Sequence, residues 1–117
     1  MQFALDKATF TRTDGDVHTC LEIVVAPEFN AEVRRLTLTN AGEEARVFEV
    51  TTFAELSLAE PQSDNAHPAF SKLFVRTDYD EERECLVAGR RPREEKEENV
   101  WAAHALAVDG ETLGSPE

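Results

Sequence analysis

Carboxylate pairs are the first chemistry to weigh in this sequence, because 24 of its side chains are acidic. Three pairs stand one or two positions apart along the chain: Asp78/Asp80, Glu94/Glu95 and Glu97/Glu98. Such a pair can divide the roles of general acid and general base. Most of these residues stand in charged, hydrophilic turns where nothing would raise a carboxyl pKa. We therefore interpret them as solvated surface.

Nucleophiles and metal ligands are sparse. Serine occurs four times, never within GxSxG, and a Ser71–His67 pair lacks a recognisable third member. Cys20 and Cys85 have no CxxC spacing, and His18 beside Cys20 lacks a fuller ligand set. The sequence has no GxGxxG and no P-loop either. We predict no metal site, no cofactor, and two free, partly buried thiols in a reducing compartment.

Three further features are compatible with binding rather than catalysis. Trp101 is a candidate stacking surface for a sugar ring, although a single tryptophan is more often packed in a core or rim. His104, between two alanines, is expected as a hydrogen-bonded core or sub-surface histidine, and His18 as an exposed one. The cluster 89-GRRPRE-94 could hold a phosphate or carboxylate. Neutralising the neighbouring acidic runs is the better interpretation of this cluster.

The segment 66-AHPAFSKLFV-75 carries more apolar surface than a loop between two hydrophilic stretches needs. Pro68 favours extended geometry at His67. Phe70, Leu73 and Phe74 give the segment an apolar side. We interpret it as an anchor that packs into the domain or against another one.

Length and charge limit the function classes. The chain has 117 residues, so it is the size of one domain, and we predict a single domain over 1–117. Its net charge of −12 argues against binding nucleic acid or an anionic membrane surface. No apolar run approaches the ~18 residues of a membrane span. Self-repulsion on this scale also suggests a piece of a larger protein.

Period-2 alternation predicts mostly strands. The candidate strands are 3–13, 17–27, 32–40, 45–58, 73–79, 85–92 and 100–108, with a helix as the alternative for 53–60 and for the alanine-rich centre of 100–108. Turns are predicted at Asp14-Gly15 and at 40–43, and a loop at 60–72. The run 100–108 is apolar on both faces, as a buried central strand would be. The predicted fold class is all-β, an antiparallel β-sandwich.

Four segments, in this order and at these spacings, resemble one family: 32-EVRRLTLTN-40, 45-ARVFEVTTFAEL-56, 66-AHPAFSKLFV-75 and 101-WAAHALAVDGE-111. The chain is similar to the N-terminal β-sandwich of glycoside hydrolase family 94. This family includes cellobiose phosphorylase and the phosphorylase-like part of cyclic β-1,2-glucan synthases. The segment HPAFSKLF is the most specific element of the resemblance.

The resemblance implies a galactose mutarotase-like supersandwich, or a fragment of it, excised from a much larger enzyme. In that family the catalytic acid and the phosphate site lie on an (α/α)6 barrel, so no residue here inherits them. The implied role is non-catalytic, namely docking on the barrel and contact with β-glucan. The candidate contact residues are His67, Phe70, Lys72 and Trp101. The implied location is the cytoplasm, with the parent enzyme anchored in the bacterial inner membrane by other segments.

Three alternatives stay open at the level of sequence. The first is a carbohydrate-binding module with its own groove around Trp101. The second is a stand-alone interaction domain that pairs through an open sheet edge, for example as a homodimer. The third is a small hydrolase that uses a carboxylate pair.

Overall fold

The computed structural model describes residues 1–66, 69, 72–92 and 99–110. The chain divides into two compact units, Met1–Thr51 and Thr52–Glu117. Each unit contains one sheet in which every neighbouring pair of strands is antiparallel. The predicted all-β, antiparallel fold class is confirmed, and two such sheets are what a β-sandwich is made of. The single domain over 1–117 stays a prediction.

The first unit holds a four-stranded meander. Its strands, in their order across the sheet, are β1 (Gln2–Phe3), β2 (Lys7–Asp14), β3 (Val17–Val25) and β4 (Glu32–Asn40). The predicted turn after Asp14 is confirmed. Gly15 has a φ of 58°, which glycine adopts without the steric cost that a Cβ brings.

Side-chain alternation in this unit follows the predicted faces. Phe10 on β2 pairs with Leu21 on β3, and Leu21 pairs with Leu36 on β4, so one face carries an apolar row. Phe3 meets Phe10 edge-to-face, with ring centroids 6.2 Å apart. The opposite face is polar and includes the ion pair between Lys7 and Glu22. The faces that the alternation predicted for these strands are therefore the ones observed.

The predicted turn at 40–43 is also observed. The Asn40 side chain accepts a hydrogen bond from the backbone N–H of Gly42 and donates one to the carbonyl of Glu44. The backbone N–H of Ala41 donates to the carbonyl of Asp16 over 2.7 Å. These bonds use the local hydrogen-bonding capacity of asparagine to redirect the chain after β4.

The predicted strand at 45–58 is wrong, since the structure assigns neither strand nor helix to these residues. A strand requires a hydrogen-bonded neighbour as well as an alternating face. No such neighbour pairs with this segment in the described part of the chain. Leu58, the last residue of the predicted strand, has a φ of 48°, a conformation that is costly for a residue with a Cβ.

The second unit holds a short helix and a three-stranded sheet. Its elements are α1 (Pro61–Ala66), β5 (Val75–Asp80), β6 (Cys85–Arg90) and β7 (Trp101–Ala105). The loop predicted at 60–72 therefore contains a helical turn, which begins at Pro61, a residue favoured at the first helical position. The sheet order is β5-β6-β7. The run at 100–108 was predicted as a central strand, but β7 is an end strand, and β6 is the central one.

Burial of apolar side chains is concentrated on β6. Among the described residues, the buried apolar ones are Cys85 and Ala88, with 8% and 4% of their surface exposed. Cys20 on β3 is half-buried, and both thiols are free, as predicted. Within the same residues, no helix has the length and apolar character needed to span a bilayer.

Candidate functional site

Trp101 is held on a flat sheet face by a glycine. It begins β7 and pairs with Gly89 on β6. A Cβ built on Gly89 would lie 2.5 Å from Cζ3 and 2.6 Å from Cε3 of the indole, closer than real atoms approach. The six-membered part of the indole therefore lies directly over the backbone of Gly89. The side chain remains largely exposed, since 68% of the surface of Trp101 is accessible.

The register brings an arginine into the same row. Arg76 on β5 pairs with Gly89, which pairs in turn with Trp101, so the three residues cross the sheet on one face. The backbone N–H of Arg91 donates to the carbonyl of Phe74 over 2.9 Å, which continues the pairing of β5 with β6 by one step. Arg91 and Phe74 therefore belong to this face too. We call it the Trp101 face, defined by Phe74, Arg76, Gly89, Arg91 and Trp101.

A shallow groove of about 420 Å³ lies at one side of the Trp101 face. Its lining residues are Leu73, Phe74, Arg76, Arg91 and Pro92. Within the described residues, neither Arg76 nor Arg91 forms a side-chain ion pair. Asp78, the acidic residue next along this face of β5, accepts a hydrogen bond from the backbone N–H of Tyr79.

Arg90 points to the other face of the same sheet. It pairs with Val75 in the register, and its Nη1 donates to the carbonyl of Leu58 over 3.2 Å. Its Nε is buried and has no hydrogen-bond partner among the described residues. The arginines of 89-GRRPRE-94 therefore divide between two faces, and Arg93 lies outside the described residues.

His104 is exposed, so the expectation of a core histidine is wrong. The reason is the position of β7 at the end of the sheet, where one edge has no covering strand in the described residues. The expected hydrogen bond is present, since Nε2 lies 2.9 Å from Oγ1 of Thr52. This bond joins Thr52 to β7 within the second unit. His18 is exposed as predicted and pairs with Thr13.

The four predicted contact residues are only partly described. Trp101 is on the face defined above. Lys72 lies between α1 and β5 and forms an ion pair with Glu55. His67 and Phe70 lie outside the described residues, as does Ser71. The structure therefore gives no geometry for a Ser71–His67 pair and does not test the set as a whole.

Of the three candidate carboxylate pairs, Asp78/Asp80 is the one that the structure describes. Arg83 donates a side-chain hydrogen bond to Asp80, which lowers the pKa of Asp80 and keeps it ionised. A general acid would need the opposite shift. Glu94/Glu95 and Glu97/Glu98 lie outside the described residues. Where the structure describes the chain, no cluster of three or more histidine, cysteine or carboxylate side chains could hold a metal ion.

Sequence reasoning missed Gly89 and Arg76 as partners of Trp101. A signal was present at Gly89, because glycine inside a strand often marks a close approach of another group. Nothing in the sequence indicated Arg76, since its place in the row depends on the register of three strands.

Comparison with known proteins gives the chain a family. The sequence model of the glycosyl hydrolase 94 supersandwich domain matches residues 1–115. The chain is also 40% identical, over 105 residues, to the cyclic beta-(1,2)-glucan synthase NdvB of Rhizobium meliloti (strain 1021). That match covers 90% of this chain and spans about 4% of the length of the relative. The resemblance found in the sequence is confirmed, and this chain belongs to the glycosyl hydrolase 94 supersandwich domain family.

Proposed function

We propose that this chain is a non-catalytic segment of a β-glucan-processing enzyme and docks onto an (α/α)6 catalytic barrel in the same protein. One observation carries the docking. Among the described residues, nineteen large apolar side chains are exposed, whereas the buried apolar ones are Cys85 and Ala88. Family membership and the printed name of the relative support the enzyme class.

The exposed apolar groups are too large to be incidental. Phe53 is 83% exposed and Leu73 is 75% exposed in the second unit, and Phe29 is 72% exposed in the first. Covering one such side chain contributes about 1.5–3 kcal/mol. Exposed apolar surface of this extent is typical of proteins that meet another protein surface. A barrel in the same protein would supply such a surface at high effective concentration.

The docking is tested by mixing this chain with a separately produced (α/α)6 barrel from a glycoside hydrolase 94 protein that carries the segment. We expect a one-to-one complex on a sizing column. Phe53→Asp should weaken the complex, because it places a charge where apolar surface is buried. Thr51→Asp, two residues away, adds the same charge to an exposed polar position and should leave the complex intact. Equal effects of the two variants would count against this surface.

Contact with a saccharide is a second proposed role, favoured by the geometry of Trp101. An indole that lies flat over a glycine and is 68% exposed presents an aromatic surface on which the apolar side of a sugar ring can pack. The two free thiols and the family resemblance support a cytoplasmic location for this segment, within an enzyme anchored in the bacterial inner membrane by other segments.

Saccharide contact is tested by titrating this chain with a neutral β-1,2-gluco-oligosaccharide and following its single tryptophan by fluorescence. We expect saturable binding by the native chain and no binding by Trp101→Ala. The variants are followed by NMR, because Trp101→Ala has no tryptophan fluorescence. Tyr79→Ala is the matched control, because Tyr79 is a half-exposed aromatic on the opposite face of the same sheet. Absence of binding at millimolar oligosaccharide would leave docking as the role. Strands β4 and β7 each have one edge without a partner strand among the described residues. Pairing of two copies through such an edge would appear as a concentration-dependent dimer on the sizing column.

A further inference from the structure

The Trp101 face carries two arginines, so it offers charged groups to a ligand as well as an aromatic surface for a sugar ring. Arg76, Gly89 and Trp101 stand in one row on three neighbouring strands. Strands lie about 4.8 Å apart, so the backbones of Arg76 and Trp101 are separated by roughly 10 Å. The position between them carries no side chain, and the indole leans over it. This span accommodates a sugar ring on the indole and one of its substituents at the guanidinium group.

The positive charges on the Trp101 face favour a negatively charged substituent on the sugar. The protein has a net charge of −12, yet Arg76 and Arg91 have no ion-pair partner among the described residues and share one groove. Guanidinium groups donate paired hydrogen bonds that match the oxygens of a phosphate or a carboxylate. This face of β5 also carries two acidic residues, of which Asp78 accepts a hydrogen bond from the backbone N–H of Tyr79 and Asp80 forms an ion pair with Arg83.

The long-range field works against any anion, since the net charge of the chain is negative. Screening limits that repulsion to about 8 Å at physiological ionic strength. Binding must therefore come from groups at contact range. The groove supplies them, because Arg76 and Arg91 line it together with Leu73, Phe74 and Pro92.

We propose that the Trp101 face binds an anionic saccharide, with a sugar ring on Trp101 and a phosphate or carboxylate substituent held by Arg76 and Arg91. The proposal rests on the saccharide contact proposed above and adds the chemical class of the ligand.

The test compares three probes on the whole chain: a neutral β-1,2-gluco-oligosaccharide, the same oligosaccharide carrying a phosphate monoester, and one ending in a uronic acid. Inorganic phosphate is titrated separately. We expect the charged oligosaccharides to bind about tenfold more tightly than the neutral one or better, the range of a charge-assisted hydrogen bond. The stronger of the two charged probes identifies the substituent.

Arg76→Gln and Arg91→Gln should each reduce that preference, because they lower the affinity for the charged oligosaccharides much more than the affinity for the neutral one. Arg83→Gln is the matched control, since Arg83 lies in the turn between β5 and β6 and is bonded to Asp80. It should retain the full preference. Thermal unfolding of each variant checks that the fold is retained, and chemical shifts of the β5–β7 amides locate the site.

Each outcome separates the two proposals. Neutral and charged probes that bind equally well would overturn the anionic site and leave the saccharide contact standing. Charged binding that needs the arginines but not Trp101 would show a plain anion site and overturn both proposals. A preference for the charged probes that survives both arginine substitutions would overturn the anionic site. Substitutions that change the unfolding temperature but not the preference would overturn it as well.

Discussion

At the scale of single residues, Gly89 and Trp101 depend on each other. The indole occupies the space that any Cβ at position 89 would take, so the glycine decides where the aromatic surface lies. The charged side chains behave differently, because each exposed ion pair is solvated and its contribution is small. Lys7–Glu22 is the exception worth testing, since both side chains are partly buried in the sheet.

Gly89→Ala should displace the indole and lower the free energy of unfolding by about 1–3 kcal/mol, the usual cost of overpacking. Because Trp101 is the only tryptophan, a shift in its fluorescence maximum reports the displacement directly. A double-mutant cycle supplies the control. In the Trp101→Ala background the added methyl group should cost much less, and additive effects would show that the two residues are not in contact.

Glu22→Gln tests the ion pair through its pH dependence. The hydrogen bond from Lys7, followed by the charge of Lys7, lowers the pKa of Glu22, and the same bond raises the pKa of Lys7. The stabilisation by Glu22 is complete above the pKa of an unfolded glutamate, about 4.3, and is lost as the pH falls through the lower folded value. The stabilisation by Lys7 is complete below about pH 10.4, the pKa of an unfolded lysine, and is lost as the pH rises through the higher pKa of the folded state.

The difference in unfolding free energy between the native chain and Glu22→Gln should therefore be largest between about pH 5 and pH 10 and shrink on both sides. Denaturant unfolding across this range measures it. Glu28→Gln, in the loop between β3 and β4, removes the same charge outside the sheet and serves as the control. A difference that does not vary with pH would mean that the Lys7–Glu22 pair contributes nothing in solution.

At the scale of elements, period-2 alternation in the sequence predicted which side chains share a face of a strand. It did not predict which strands pair with each other. Strands β2, β3 and β4 were predicted because Leu21, Leu36 and their neighbours recur at every second position. The same signal at 45–58 failed, since period-2 alternation does not supply a partner strand. The run at 100–108 was predicted to be central because it is apolar on both faces. Its place at the end of the sheet depends on which strands pair with it, and the local sequence does not determine that pairing.

The hairpin between β5 and β6 offers a prediction at this scale. Glu84 closes its turn with a φ of 49°, a region that costs a residue with a Cβ on the order of 1–3 kcal/mol. Glu84→Gly should raise the free energy of unfolding by about 0.5–1 kcal/mol, because relief of strain exceeds the extra entropy of the unfolded chain. Glu81→Gly, in the same turn without a positive φ, should lower it. Equal losses in both variants would refute the strained turn.

At the scale of the whole molecule, the fold class was predictable and the Trp101 face was only partly so. Trp101 was selected as a candidate from its residue type alone. The contribution of Arg76 and Gly89 required the register of β5, β6 and β7. The family followed from the order and spacing of four segments, and comparison confirmed it. The central claim, docking on a barrel, rests on exposed apolar surface in a chain that belongs to this family.

Hydroxyl-radical footprinting of this chain, alone and joined in one longer protein to the barrel of a glycoside hydrolase 94 protein, tests that claim most directly. We predict that Phe53 and Leu73 are labelled strongly in the isolated chain and are protected in the longer protein. Trp101 should be labelled in both and become protected when a gluco-oligosaccharide is added. Equal labelling of Phe53 and Leu73 in the two forms would contradict the docking.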